Sequence, residues 1–226
     1  MGNAVVIIVE GTDDQHALAS LLVRNSVQLS KPGPQPEKVH LKCGNSLTEG
    51  TGADAVIDNI AAEIKASGGN TVGFILDSDP GIGLKSRWDS IKHQLHQVEI
   101  DAPAQPPSEG FIGYSKKTKC WAGVWLMPDN ETDGTLETLL STLIGEGDLL
   151  IDHAKFVTEA AAQIDRRFGE SDFVKAHLHT WLAWQPRPGC PYGMAITAKF
   201  FGATSPTADR FVAWVRELLL REGTTE

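Results

Sequence analysis

The stretch Ala4-Val5-Val6-Ile7-Ile8-Val9-Glu10-Gly11-Thr12-Asp13-Asp14 decides the fold. A continuous aliphatic run suits a strand covered on both faces, as in a parallel sheet. It ends in Glu10-Gly11, and Asp13 and Asp14 then open a helix. Ala17, Leu18, Leu21 and Leu22 supply that helix's apolar spacing, and its acids sit near its positive end. Working outward, Val39–Leu41 is a short second strand after a Pro/Gly-rich connector, 31–36. Ala53–Lys65 is a helix stopped by Gly68-Gly69, and Thr71–Leu76 is a third, buried strand running into Asp77-Ser78-Asp79. Trp88, Ile91, Leu95 and Val98 mark the inward stripe of the next helix. The order β-α-β-α-β-α predicts an α/β fold with a parallel sheet flanked by helices.

Residues 101–119 are irregular, with room for a hairpin, and Trp121–Met127 is the fourth main strand. Helices are expected over 133–144, 148–168, 172–184 and 207–220, with a glycine-rich loop or short extended region over 187–203. The C-terminal part is therefore mainly helical. The chain has 226 residues, 41% hydrophobic and 22% charged, enough for one sizeable core. No apolar run is long enough for a bilayer, and the N-terminus lacks the basic start of a signal peptide. Cys43, Cys120 and Cys190 are scattered without a CxxC pair, which fits a reducing cytoplasm and argues against a disulfide framework or a thiolate zinc site. A net charge of −9 argues against a passive nucleic-acid coat protein. It does not exclude a nuclease, because bound divalent metal reverses the local sign of a carboxylate cluster.

Two strands end in carboxylates, the first at Glu10 and the third at Asp77 and Asp79. Ligands of open parallel sheets bind outside these strand ends, so the groups converge despite their distance in sequence. Asp77 and Asp79, two apart in an extended stretch, are expected to project to one side. Asp14 follows a glycine turn that folds the chain back over the strand end. Four carboxylates together need neutralising, and a hard cation, Mg²⁺ or Mn²⁺, is suited to oxygen donors. The plainer alternative is that each pair merely caps a helix or decorates a loop; both pairs directly after buried strands favour the metal site.

Val9-Glu10-Gly11-Thr12-Asp13-Asp14 followed by Ile75-Leu76-Asp77-Ser78-Asp79 resembles the Toprim signature, a glutamate after the first strand and a DxD after the third. Topoisomerases, bacterial primases, ribosomal-RNA maturation nucleases and OLD-family nucleases share that signature. The resemblance covers residues 1–145 and implies a Toprim-like (Rossmann-like) catalytic domain, with 146–226 as a mainly helical extension packed on the same core. OLD-like nucleases carry a further acidic element after the fourth strand that helps hold a second metal. Glu137 matches it, with Asp133 one helical turn earlier; a solvated first helical turn is the equal alternative, and Asp129 competes for the role. Lys175 is the candidate for the basic group such enzymes use in the transition state, against the plainer reading of a solvated helix lysine. The segments 123–130 and 175–185 are similar to an uncharacterised bacterial Toprim-like family.

Other features receive structural readings. His177 and His179 fall on different helix faces and are expected to be partly buried, and Trp181 and Trp184 to be core. Lys116, Lys117 and Lys119 form an exposed loop cluster. No Walker loop or nucleophile elbow is present. With Tyr114 and Tyr192 as the only tyrosines, topoisomerase activity is not expected. The expected function is a Mg²⁺- or Mn²⁺-dependent phosphodiesterase, a nuclease on DNA or RNA with one or two ions. Glu10 would be ligand or general acid/base, Asp77 and Asp79 ligands, and Asp14, Asp133 and Glu137 further ligands. The alternatives are a non-catalytic nucleic-acid or nucleotide sensor working with a separate ATPase, and a metal-dependent transferase, for which no donor pocket is evident.

Overall fold

A computed structural model describes residues 5–29, 39–44, 52–79 and 81–221. The expected connector at 31–36 lies outside them. In chain order the elements are β1 (Val5–Val9), α1 (Thr12–Arg24), β2 (Val39–Cys43), α2 (Ala53–Ala66), β3 (Val72–Asp77), α3 (Leu84–His96), β4 (Phe111–Ser115) and β5 (Cys120–Met127). Then come α4 (Leu136–Ser141), α5 (Leu149–Asp165), α6 (Phe173–Leu182), α7 (Tyr192–Thr197) and α8 (Pro206–Leu219). The sheet order is β2-β1-β3-β5-β4. β1, β2, β3 and β5 run parallel, and β4 pairs antiparallel with β5 as an edge strand. The irregular stretch at 101–119 thus contains the first arm of a hairpin, and the three lysines sit on its exposed turn.

Alternate residues of the aliphatic strands feed two cores. Ile8, Phe74, Leu76, Val124 and Leu126 pack with α2 and α3 on one face. Val5, Ile7, Val9, Ile75 and Trp125 pack on the other with α1 and with α4 to α8. Trp181, Phe211, Trp214 and Leu218 belong to this second cluster, so the C-terminal helices complete the first strands' core. Gly73 and Gly123 are partners on neighbouring strands and leave a bare groove there. Leu218 fills it so closely that a Cβ at either glycine would fall 2.9 or 2.8 Å from a Leu218 methyl.

The helix expected over 133–144 runs only over Leu136–Ser141. Gly134 is held to the end of β3, its N–H donating to Ser78 Oγ and its carbonyl accepting from the Ser78 N–H, both at 2.9 Å. The glycine-rich region at 187–203 contains α7, which sequence reading missed. Its Gly193 lies against α1 so tightly that a Cβ would stand 2.8 Å from the His16 carbonyl oxygen. The residue that obscures the helix in sequence is the one that lets it pack. Trp181 is core at 1% exposure, whereas Trp184 is 40% exposed and stacks against His153 rather than entering the core.

Gly193→Ala is expected to destabilise the fold by about 1–3 kcal/mol through overpacking against backbone that cannot rotate away. Gly145→Ala, which has open space around it, is expected to stay within about 0.5 kcal/mol. Urea unfolding of the two variants checks the contrast; equal stabilities would remove the packing argument.

Candidate functional site

β1 connects through α1 to β2 on one side, while β3, β1's other neighbour, connects onward toward β5. The chain therefore diverges between the carboxyl ends of β1 and β3, the switch point where open α/β sheets hold ligands. Glu10 and Asp77 stand there, and the Asp77 N–H donates to Glu10 Oε1 at 2.6 Å. Asp77 Oδ1 in turn accepts from the Leu136 N–H at the start of α4, 3.0 Å. Asp14 Oδ2 accepts from the Gly11 N–H at 2.7 Å. Gly11 itself is extended (φ −132°), so it makes no left-handed turn; a Cβ there would press to 3.0 Å from the Asp14 carboxylate.

These groups line one cleft of about 500 Å³, together with Glu137, Lys175, His179 and Tyr192. Glu137, only 6% exposed, pairs with Lys175 Nζ at 3.3 Å and accepts from Thr135 Oγ1 at 2.8 Å. The cleft thus has an acidic side from the strand ends and a donor side from α6. Two helices begin at it, α1 and α4, and their first-turn N–H groups favour negative charge.

The acids are under electrostatic pressure. Burial pushes Glu10 up to about 7, against the Asp77 N–H bond, with the charges of Asp14 and Asp79 adding to the rise. Burial likewise raises Asp14 to about 6, with Glu137 adding and the Gly11 N–H bond opposing. Asp77 is raised well above the carboxylate range by burial, then by Glu10, Asp14, Glu137 and Asp79. Burial opposes the charge on Lys175, but Glu137 outweighs it and raises its pKa.

Not every expected residue joins the cleft. Asp79 does not project beside Asp77: it lies in the turn after β3, and its Oδ2 accepts from Arg87 Nη2 at 2.7 Å. It remains close enough to raise Glu10. Asp133 precedes α4 instead of lying one turn back from Glu137, and its carboxylate accepts from the Leu84 N–H at 2.6 Å, capping α3. Asp129 is occupied by its own turn, accepting from Glu131 N, Thr132 N and Thr132 Oγ1. His177 faces Glu159 on α5, 3.9 Å away, while His179 is exposed, not half-buried, and stacks on Tyr192.

Two residues escaped sequence reading. Arg87, buried on α3 and bridging Asp79 and Asp54, carried a signal: it falls on the apolar stripe with Leu84, Trp88 and Ile91. Tyr192 had none, since it opens the unrecognised α7. Its ring is 5% exposed, and its hydroxyl stands beside Glu137 without a hydrogen-bond partner among the described residues.

The donor set is all carboxylate oxygen, which fits a hard divalent cation rather than zinc or copper. One oxygen each of Glu10, Asp14 and Asp77 is held by backbone N–H, and no bond among the described residues engages the other. As they stand, no three His, Cys, Asp or Glu side chains among the described residues converge on one point. Binding an ion there requires side-chain rotation.

A family model described as protein of unknown function, DUF3226, matches residues 4–220, and the chain belongs to that family. No curated protein and no solved structure gives a significant match. Among the described residues, no helix is long and apolar enough to cross a membrane.

The raised Glu10 value sets a sign for stability. A carboxyl whose folded pKa exceeds its unfolded 4.5 contributes stability below that value and loses it as pH rises through about 7. Without divalent cations, Glu10→Gln is therefore expected to gain on the wild type between pH 4.5 and 8, by roughly 2–3 kcal/mol at about 1.4 kcal/mol per unit. Urea unfolding in EDTA at both pH values checks this. A stability difference that does not change with pH would show that Glu10 is not under strain.

Proposed function

We propose that this DUF3226 protein is a Mg²⁺- or Mn²⁺-dependent phosphodiesterase, a nuclease hydrolysing DNA or RNA at a Toprim-type acidic site. The observation that carries the reading is the gathering of Glu10, Asp14, Asp77 and Glu137 in one cleft at the sheet's switch point. Buried like charges of this kind are held ionised most simply by a cation. Glu10, Asp14, Asp77 and Glu137 would hold one or two ions. Asp79, turned to Arg87, shapes the field around them, and Asp133 serves the α3 terminus.

A bound divalent cation supplies Lewis acidity toward a phosphate oxygen and a water of lowered pKa. The chain's own residues supply the rest. In the metal-free chain burial pushes Glu10 up to about 7, a value a bound cation would lower, so Glu10 would serve as a ligand or, left off the ion, as the general acid/base. Lys175 Nζ brings positive charge to the same cleft, where it would face the negative charge that builds on the phosphoryl and leaving-group oxygens. The first turns of α1 and α4 favour an anion at the same place.

A second reading has its own support. Glu137 is already neutralised by Lys175, and the carboxylates do not converge on one point. These two observations favour a non-catalytic Toprim-fold protein that binds nucleic acid or nucleotide and acts with a separate ATPase.

Incubation of the purified chain with plasmid, single-stranded DNA and structured RNA, with Mg²⁺ or Mn²⁺, separates the two. The nuclease reading expects cleavage that falls at least about 100-fold in Glu10→Gln and Asp77→Asn, the scale of losing a transition-state-stabilising group. Metal binding without cleavage of any substrate would sink the nuclease and leave the regulatory reading.

A further inference from the structure

We propose that Tyr192 is a positioning residue for Glu137, holding that carboxylate in the cleft when it leaves Lys175 for a divalent cation. The inference rests on the metal-site reading above.

Tyr192 opens α7, and its ring is stacked on His179 with centroids 5.1 Å apart and planes at 27°. Tyr192 is 5% exposed and its hydroxyl is shut off from water; it lies close to the Glu137 carboxylate but makes no hydrogen bond of good geometry with it or with any other described residue. A buried donor left unpaired is costly, and each such group calls for an explanation. The hydroxyl lines the acidic cleft, and Glu137 and Asp13 are the charged groups nearest to it in effect. Burial and those two carboxylates keep the proton on the phenol, so the group acts as a donor. What it lacks is an acceptor in the right orientation.

Glu137 is the acceptor that can turn to it. Its Oε1 meets Lys175 at 3.3 Å and its Oε2 takes the Thr135 hydroxyl at 2.8 Å. The two partners of the ion pair are unequal: the Lys175 side chain is 53% exposed, the Glu137 side chain 8%. A cation entering the cleft competes with the Lys175 ammonium, which is half-exposed and can give up Glu137 at little cost while staying at the cleft's rim for an incoming phosphate. Glu137 has no such outlet, and with Thr135 engaging only Oε2 the carboxylate needs a second donor within the protein once Lys175 lets go. The Tyr192 hydroxyl is that donor, already desolvated and with its ring held by His179. A hydrogen bond of this kind fixes a ligating carboxylate and strengthens metal binding from behind.

Mn²⁺ titration of the full chain by calorimetry, with thermal unfolding in EDTA and in excess Mn²⁺, tests the assignment. Tyr192→Phe removes only the oxygen. It is expected to weaken Mn²⁺ binding roughly tenfold and to shrink the rise in Tm that Mn²⁺ gives. In EDTA the same variant should melt at or above the wild-type Tm, because there the hydroxyl has no partner to lose. Lys175→Met should tighten Mn²⁺ binding by removing the competing cation. If Tyr192→Phe binds Mn²⁺ as tightly as wild type while Glu137→Gln binds it weakly, the positioning role is overturned and the metal site stands. If Tyr192→Phe lowers the EDTA Tm and leaves the Mn²⁺ affinity alone, the hydroxyl is merely structural. A wild-type chain that binds no Mn²⁺ overturns the metal site itself, and this assignment with it.

Discussion

The bond from the Asp77 N–H to Glu10 Oε1, 2.6 Å long, ties together the carboxyl ends of the two central strands. It forms where the sheet's connections part, because β1 hands the chain to β2 on one side and β3 leads toward β5 on the other. The Glu10, Asp14 and Asp77 side chains are half-buried in the opening left there, and α1 and α4 both begin at its rim. A carboxylate in that place must find donors in the protein. Glu10 finds the next strand's backbone, Asp77 finds the first turn of α4, and Asp14 finds the chain's own return at Gly11. The acids are thus part of what holds the strand ends in register with the helices that follow them. Their charge, not their geometry, is the unresolved strain.

The chain carries a net charge of −9, so adding unpaired acids to a crowded cleft is disfavoured at long range as well as short. The structure meets this in two local ways. Arg87 takes Asp79 and Asp54 out of the account on the far side of the β3 turn, and Lys175 does the same for Glu137. Glu10, Asp14 and Asp77 have no basic side chain bonded to them among the described residues. They are the part of the site where burial and mutual repulsion raise the carboxyls' pKa values instead.

Much of this was legible in the sequence because buried parallel strands and the residues ending them share one signature. Residues 4–9, 71–76 and 121–127 are near-continuous apolar runs, and Glu10 and Asp77 stand where such runs stop. Asp14 was legible through helix spacing. What sequence could not supply was direction. Asp79 shares the extended look of Asp77 but turns to a guanidinium eight residues on, in a helix whose inward arginine is settled only by packing. Asp133 looked helical because Glu137 follows at one turn's distance, yet the chain at Gly134 is tied to Ser78 and starts the helix late. Tyr192 was hidden by Gly193, a helix-weakening residue that tertiary packing against α1 requires.

The paired glycines of the central strands carry a consequence for how the cleft is supported. Gly73 and Gly123 leave a trench that Leu218 and Trp214 of α8 occupy, with Ile7 of β1 beside Gly73. Trp214 also donates from its indole to the Phe111 carbonyl at 3.2 Å, and Thr71 Oγ1 reaches the Arg221 carbonyl at 2.6 Å. The strands that present the acids, β1 and β3, are therefore covered on one face in part by a helix far downstream of both, β3 ending at Asp77 and α8 beginning at Pro206. Every residue that lines the acidic cleft lies before that helix, so α8 supports the cleft only from beneath, through the strands it covers.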